Sequence, residues 1–161
     1  MKPYVFRPLI PQYDAAVAQL VRDNLIAVHL DIPGTAYADP GLDHLSDAYT
    51  DPRSAYFVLL DGETVIGGVG LAPCELFPDC CELQKLYLAD AAKGQGLGYA
   101  LMAHIEAEAI RRGYRTAYLE THSRLAAALH LYARCGYTEI PKPPAVVHSA
   151  MDRFFRKDLK S

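Results

Sequence analysis

A glycine-rich turn is the segment of this chain whose residue types and spacing most clearly indicate chemistry. Residues 93–98 read Lys-Gly-Gln-Gly-Leu-Gly and lie between an extended apolar run and an apolar period typical of a helix. Free N–H groups at a helix N-terminus attract anions, and glycine lets the main chain approach a ligand closely. Lys93 adds a local positive charge. The segment therefore predicts a phosphate-binding turn.

Spacing separates the kinds of phosphate site that such a turn could form. A Walker loop needs a lysine directly after its last glycine, and none follows Gly98. The dinucleotide fingerprint G-x-G-x-x-G/A fails from Gly94 and from Gly96, although Glu120 lies about where a ribose-binding acid is expected. A strand-to-helix turn that binds nothing is the structural alternative.

The elements that must position this turn follow from hydrophobic periodicity. Apolar spacing of three and four residues predicts helices at 14–29, 42–49 and 125–135, and one from 96 to the basic residues and glycine at 111–113. Extended runs predict strands at 4–7, 55–60, 64–71, 81–88, 115–120 and 148–155. Asp61-Gly62-Glu63 between two of these runs predicts an antiparallel hairpin. The pattern is that of an α/β domain.

The turn resembles motif A of the GNAT superfamily of N-acetyltransferases. That motif reads [QR]-x-x-G-x-[GA], and Lys93, Gly96 and Gly98 occupy its three defining positions. Lysine in place of the commoner Gln or Arg is a departure that keeps the charge.

A second segment is similar to motif B of the same superfamily, whose signature is L-Y-x-x-x-G-[FY]. Residues 119–121 followed by 126–137 carry this pattern, in the order and at the spacing of the family. Leu125 stands where many relatives carry an asparagine, and His130 is the residue that would substitute for it. With the hairpin of 55–71, the resemblance covers nearly the whole chain.

The resemblance implies a GNAT-type fold, which is a single domain over residues 1–161 with a mixed, mostly antiparallel twisted sheet flanked by helices. It also implies that the N–H groups of the turn hold the pyrophosphate of coenzyme A and that the preceding strand end pairs with the pantetheine arm. The residues that would bind acetyl-CoA are then Leu86, Tyr87, Leu88, Lys93, Gly94, Gln95, Gly96, Leu97, Gly98, Tyr99 and His130.

Acyl transfer to an amine requires a neutral nucleophile, stabilisation of an oxyanion and a proton for the departing thiolate. Glu82 falls where several members of the superfamily place a catalytic glutamate, so it is the candidate base, and Gln84 shares its face of the strand. The alternative is an ordinary solvated or ion-paired glutamate.

Tyr132 is the candidate acid, because the tyrosine of the L-Y-x-x-x-G pattern lies near the thioester sulfur in the family. The alternative is a helix tyrosine packed on the core. We expect direct transfer to the amine rather than a covalent intermediate on Cys135, since a helix C-terminus does not lower a thiol pKa.

Composition restricts the class of protein. The 161 residues are 51% apolar and 22% charged, with a net charge of −3, and no run reaches the length of a membrane span. No basic run predicts nucleic-acid binding, residues 1–7 lack a secretory apolar region, and the four cysteines lack metal-ligand spacing. We expect a cytoplasmic protein with reduced thiols, no metal, no nucleic-acid partner and no membrane partner.

The sequence therefore predicts an acetyl-CoA-dependent N-acetyltransferase that acts on a primary amine. The predicted acceptor is a small molecule of the amino acid or polyamine type, because nothing in the chain indicates an extended groove for a polypeptide. Two alternatives stay open, which are a peptide or protein N-acetyltransferase on the same fold and a non-enzymatic acyl-CoA sensor. Family members commonly form dimers, so the resemblance allows a homodimer.

Overall fold

A computed structural model describes residues 4–147 and 149–160, and it is built around one seven-stranded sheet. The strand order is β1-β2-β3-β4-β5-β7-β6, and every neighbouring pair is antiparallel except β4 and β5. The strands are β1 Tyr4–Pro8, β2 Ala55–Asp61, β3 Thr64–Cys74, β4 Cys80–Leu88, β5 Thr116–Thr121, β6 Thr138–Ile140 and β7 Arg153–Asp158. This confirms the mixed, mostly antiparallel sheet that the sequence predicts.

Helices cover both faces of the sheet. The α-helices are α1 Asp14–Ala27, α2 Leu97–Arg111 and α3 Ala126–Arg134, and short 3-10 helices span Pro11–Tyr13, Ala36–Ala38, Leu42–Ala48 and Asp90–Ala92. Within the described ranges, no helix has both the length and the hydropathy needed to cross a bilayer.

The two cores follow from the alternation of side chains along the strands. Leu59 and Leu71 point to the face that α2 and α3 cover, where they pack with Leu101 and Ile105. Neighbouring strand residues point the other way, and Tyr56 and Val58 pack with Val17, Val21 and Leu25 of α1. Burial of these apolar stripes holds the three layers together, because each fully buried aliphatic or aromatic side chain contributes roughly 1.5–3 kcal/mol.

Helix α2 begins and ends at glycines, as the sequence predicts. Gly96 precedes its first turn with φ of 75°, and Gly113 follows its last turn with φ of 91°. At the C-terminal end the N–H groups of Gly113 and Tyr114 donate to the carbonyls of Ile110 and Ala109, which is a Schellman motif. These two glycines therefore set the two ends of α2.

The short helix predicted over 42–49 is present as a 3-10 helix over Leu42–Ala48, which is kinked at His44, whose backbone angles are non-helical. The last strand and one further strand differ from expectation. The last strand spans Arg153–Asp158 rather than 148–155, because the carboxylate of Asp152 accepts hydrogen bonds from Ser123 and ties the residue before the strand to the loop after β5. His148 lies outside the described residues. Strand β6 was not predicted, because three mostly exposed residues carry no alternation.

Candidate active site

A cavity of about 620 Å³ opens where β4 and β5 separate. The two strands pair only through Cys80–Glu82 and Thr116–Tyr118, and beyond this point their inner edges form the walls of the cavity. The turn before α2 and the N-terminal part of α3 line the rest. The parallel pair therefore ends early enough to leave both strand edges accessible to a ligand.

The glycine turn lies against this cavity, and its glycines have two different structural roles. Gly94 and Gly96 have φ of 79° and 75°, a backbone region that residues with a Cβ rarely adopt. Gly98 has ordinary angles, but a Cβ there would lie 3.2 Å from Cδ2 of Leu131. The first two glycines thus shape the turn, and the third lets α2 approach α3 closely.

The charged and polar side chains of the turn are already engaged. Lys93 lines the cavity and forms an ion pair of 2.9 Å with Asp90. Gln95 accepts a hydrogen bond of 2.9 Å from the Tyr4 hydroxyl and donates to the carbonyl of Ala91. The side chain of Gln95 does not line the cavity, so its contribution to an anion site would come from its main-chain N–H.

A β-bulge distorts β4 beside the cavity. Gly70 pairs with Gln84 and Gly68 with Tyr87, so that Lys85 and Leu86 together oppose a single residue of β3. Lys85 adopts φ of 49°, which is uncommon for a residue with a side chain. The three residues that the family resemblance assigns to the pantetheine arm follow the bulge and all line the cavity: Leu86, Tyr87 and Leu88.

The structure brings most of the predicted cofactor-binding residues to one cavity. Lys93, Gly94, Gly96, Leu97, Gly98, Tyr99 and His130 join the three residues of β4 in its lining. Several lining residues were not predicted. They include Asn24, whose amide donates to the carbonyl of Leu88 at 2.9 Å, and residues 126–128, which form the uncapped first turn of α3. Leu125, noted above as a departure, immediately precedes that turn.

Tyr132 lies on α3 with its side chain in the wall of the cavity. Only 7% of the residue is exposed, and its ring packs near those of Tyr137 and Phe155. Burial raises the pKa of its phenol above the usual value, and the neighbouring Tyr87 adds to this shift. The hydroxyl therefore stays protonated at neutral pH and can donate a hydrogen bond into the cavity.

Glu82 lies behind the cavity wall rather than in it. Gln84, which does line the cavity, donates a hydrogen bond of 2.7 Å to the Glu82 carboxylate and accepts one of 2.7 Å from the Tyr49 hydroxyl. Burial raises the pKa of Glu82, the bond from Gln84 opposes this shift, and the charge of Glu120 adds to it. The expectation that Glu82 and Gln84 share a face is confirmed by this bond.

A second carboxylate, which sequence reasoning did not assign to the catalytic site, lies in the cavity wall on β5. Glu120 accepts hydrogen bonds from the hydroxyls of Tyr118 at 2.8 Å and Ser149 at 3.2 Å. In the sequence Glu120 is notable only for its distance from the glycine turn, where a dinucleotide site would have a ribose-binding acid, and that interpretation failed with the fingerprint. Ser149 and Glu120 are 29 positions apart in the chain, so no local sequence pattern could predict the hydrogen bond between them.

Comparison with known proteins identifies the family of this chain. Residues 22–137 match the model of the acetyltransferase (GNAT) family. An uncharacterised N-acetyltransferase of Escherichia coli, YjgM, is 36% identical over 138 residues, which are 84% of this chain and 83% of that protein. A GNAT acetyltransferase of Staphylococcus aureus superposes with a TM-score of 0.86 at 15% identity, covering 98% of this chain and all of that one.

A further solved structure, the acetyltransferase yncA of Salmonella typhimurium with its cofactor acetyl-CoA, superposes with a TM-score of 0.75 at 21% identity. The superposition covers 98% of this chain and 94% of that one. The chain therefore belongs to the GNAT family of acetyltransferases and is an enzyme that transfers an acetyl group from acetyl-CoA.

Proposed function

We propose that this enzyme acetylates the primary amine of a small molecule by direct transfer from acetyl-CoA bound in the cavity between β4 and β5. One observation carries the proposal. A single cavity connects the glycine turn before α2, the accessible edge of β4 and the buried hydroxyl of Tyr132. An anion site, an extended main-chain edge and a proton donor are the features that a phosphopantetheine thioester needs.

The size and lining of the cavity support acetyl-CoA as its occupant. A volume of about 620 Å³ is within the usual range for small-molecule sites, roughly 300–1,000 Å³. The N–H groups of residues 94–98 at the start of α2 would hold the pyrophosphate, because a helix N-terminus carries a partial positive charge. The main chain of Leu86, Tyr87 and Leu88 would pair with the pantetheine arm. Tyr99 and His130 also lie in the lining of the cavity.

A small number of side chains would carry out the acetyl transfer. The bound thioester supplies the activated acetyl group. Tyr132 would donate a hydrogen bond to the sulfur as the thiolate departs, and burial keeps its phenol protonated for this role. Glu82 would draw the proton from the acceptor amine through a water, while Gln84 would orient the amine. Its raised pKa makes it a stronger base than an exposed glutamate.

Direct transfer is supported by the positions of the cysteines. None of Cys74, Cys80, Cys81 and Cys135 lies in the cavity wall. Burial raises the pKa of Cys135 and of Cys81, so these thiols are poor nucleophiles. An acetylated cysteine is therefore not part of the proposed reaction.

A small acceptor is supported by the surroundings of the acidic end of the cavity. Tyr49, from the segment after the 3-10 helix, bonds to Gln84 on one side, and Ser149, from the β6–β7 connection, bonds to Glu120 on the other. Chain segments thus border the region where the amine would enter, which favours a compact acceptor over an extended polypeptide.

Calorimetry with acetyl-CoA tests the cofactor part of this proposal. Gly96→Val should weaken binding at least tenfold, because the side chain would occupy the turn and distort its N–H groups. Gly113→Val is the matched control, since Gly113 also has positive φ and open space around it but lies at the far end of α2. Binding that is equal in the two variants, or absent in the unmodified enzyme, contradicts the proposal.

A thiol-release screen tests the acceptor part. Small amines of the polyamine and amino acid types should release coenzyme A from acetyl-CoA, whereas short peptides should release much less. Release with peptides alone would identify a peptide acetyltransferase, and binding without release for any acceptor would identify a sensor.

A further inference from the structure

Two pairs of side chains face each other where the strands separate. Glu82 and Gln84 lie two residues apart on β4, and Tyr118 and Glu120 lie two residues apart on β5, so each pair shares one face of the sheet. Glu82 is the register partner of Tyr118 in the last paired position. Gln84 and Glu120 therefore lie one step further, on opposite sides of the opening.

The Glu120 carboxylate is held in a fixed orientation at this opening. One oxygen accepts from the Tyr118 hydroxyl at 2.8 Å and the other accepts from the Ser149 hydroxyl at 3.2 Å. The residue lies in the cavity wall, whereas Glu82 reaches the cavity only through Gln84. Glu120 is therefore the carboxylate that a molecule entering this end of the cavity would meet.

Neither carboxylate is neutralised by a basic side chain in the part of the chain that the structure describes. The ion pairs of residues 4–147 and 149–160, taken to 4.0 Å, include neither Glu82 nor Glu120. Lys85 is near enough to lower the pKa of Glu82 slightly, but Glu120 and burial both raise it. The charge of Glu120 thus acts on Glu82, and neither carboxylate is held in an ion pair within the described residues.

The electrostatic consequence depends on the charge of the acceptor. A second ammonium group on the acceptor would be attracted to Glu120, while a carboxylate on the acceptor would meet two like charges in a partly desolvated place. Coulomb interactions are much stronger there than in bulk water, because the effective dielectric constant is lower. The acceptor's charge away from the reacting amine is therefore a basis for discrimination.

We propose that Glu120 is the residue that selects the acceptor and that the enzyme prefers diamines and polyamines over amino acids. This inference rests on the proposed function and narrows the class of acceptor. In the proposed complex the reacting amine lies toward Gln84 and Glu82, and Glu120 binds a second positive charge on the same acceptor. Tyr118 and Ser149 are positioning residues that orient the Glu120 carboxylate.

Three acceptors of equal chain length test the selection: 1,4-diaminobutane, butylamine and 4-aminobutanoate. They differ only in whether the far end is positive, neutral or negative. Thiol release should give kcat/KM in that order, with at least a tenfold difference between the first and the last. Calorimetric binding of each acceptor to the enzyme with coenzyme A should follow the same order.

Variants of Glu120 assign the effect to this residue. Glu120→Gln should raise KM for the diamine at least tenfold and reduce the preference for the diamine over 4-aminobutanoate. Glu120→Asp keeps the charge and should keep the order. Glu63→Gln, in the exposed β2–β3 turn, removes a negative charge elsewhere and should change none of these values.

The outcomes separate this inference from the function on which it rests. Equal kcat/KM for the three acceptors, a diamine that neither binds nor reacts, or a Glu120→Gln variant that weakens all three alike overturns the inference while acetyl-CoA still binds. Failure of acetyl-CoA to bind overturns the proposed function itself. Thermal unfolding of each variant verifies that it is folded.

Discussion

The hydroxyl of Tyr56 donates a hydrogen bond of 2.7 Å to the main-chain carbonyl of Lys85. Tyr56 is only 2% exposed, and Lys85 has φ of 49° in the bulge of β4. A buried side chain from β2 thus holds an uncommon backbone conformation on β4, two strands away. The stretch that follows the bulge forms part of the cavity wall.

Tyr56→Phe removes this bond and leaves the Lys85 carbonyl without its donor. We expect the free energy of unfolding to fall by about 1–3 kcal/mol, measured by urea denaturation. We also expect kcat/KM to fall at least tenfold, because the bulge relaxes. Tyr114→Phe is the control, since its hydroxyl donates to the carbonyl of Arg53 at 2.7 Å away from the cavity. Equal activity in the two variants would mean that the bond has no role in shaping the site.

Glycines of β3 make room for the same aromatic ring. A Cβ on Gly68 would lie 2.5 Å from the Tyr56 hydroxyl oxygen, and one on Gly70 would lie 2.6 Å from the Tyr56 ring. Gly68→Ala should therefore destabilise the fold by about 1–3 kcal/mol, as overpacking does. Gly41 has an ordinary φ of −86°, and an added Cβ would make only a normal contact of 3.4 Å with Oδ1 of Asp39, so Gly41→Ala should change stability by less than about 0.5 kcal/mol. Similar thermal unfolding of the two variants would contradict this packing argument.

Tyr132→Phe tests the proposed proton donor. General acid assistance typically contributes a factor of about 10² to 10⁴, so kcat should fall within that range while the affinity for acetyl-CoA changes little. Tyr137→Phe is a matched control, because its ring lies 6.1 Å from that of Tyr132 and its hydroxyl donates to Glu106 rather than into the cavity. A kcat for Tyr132→Phe within twofold of the control would exclude the role.

The pH dependence of activity tests Glu82 as the base. A raised pKa means that Glu82 takes up a proton at a higher pH than an exposed glutamate, so activity that needs its carboxylate is lost as pH falls through that pKa. In Glu82→Gln this acid limb should disappear from the kcat/KM profile. Ionisation of the acceptor amine affects both enzymes alike, so the comparison isolates Glu82. Identical profiles would assign the base to another group.

His104 gives the fold a predicted sensitivity to acid. Its ring stacks on Phe6 at 4.1 Å, its Nε2 is buried without a hydrogen-bond partner in the described residues, and burial lowers its pKa although Glu108 opposes this. The unfolded chain, with an ordinary histidine pKa of about 6.5, then binds a proton that the folded state resists. Stability should therefore fall as pH drops below about 6.5.

His104→Phe should reduce this loss. The difference in Tm between pH 7.5 and pH 5.5 should be smaller in the variant than in the unmodified protein, while between pH 7.5 and pH 8.5 the two proteins should change in parallel. An unchanged acid dependence in the variant would show that other groups dominate it.

Local signals made much of this fold predictable. Asp61-Gly62 specifies the β2–β3 hairpin, and the apolar period after Gly96 together with Gly113 specifies α2, because both depend on residues close in sequence. The glycine turn was predictable for the same reason, since its shape depends on consecutive residues.

Long-range features of the site were not predictable. The sequence around Lys85 does not indicate a positive φ. The hydrogen bond that its carbonyl accepts comes from Tyr56, 29 residues away in the chain. The sequence places Glu120 in a strand but does not show that it lies at a cavity. That depends on the hydrogen bond from Ser149 and on the separation of β4 from β5. Glu82 fits the family pattern, yet whether it faces a ligand directly depends on the conformation of Gln84.

The early end of the β4–β5 ladder also affects how this protein can change by mutation. Along the opened edge the chemical groups offered to a ligand belong to the main chain, and every residue type except proline carries the same donor and acceptor. Substitutions on this edge leave those groups in place, whereas substitutions at Gln84 or Glu120 alter what the opening attracts. Under the proposed roles, mutation can therefore change acceptor preference between descendants of this enzyme while binding of the acetyl donor is retained.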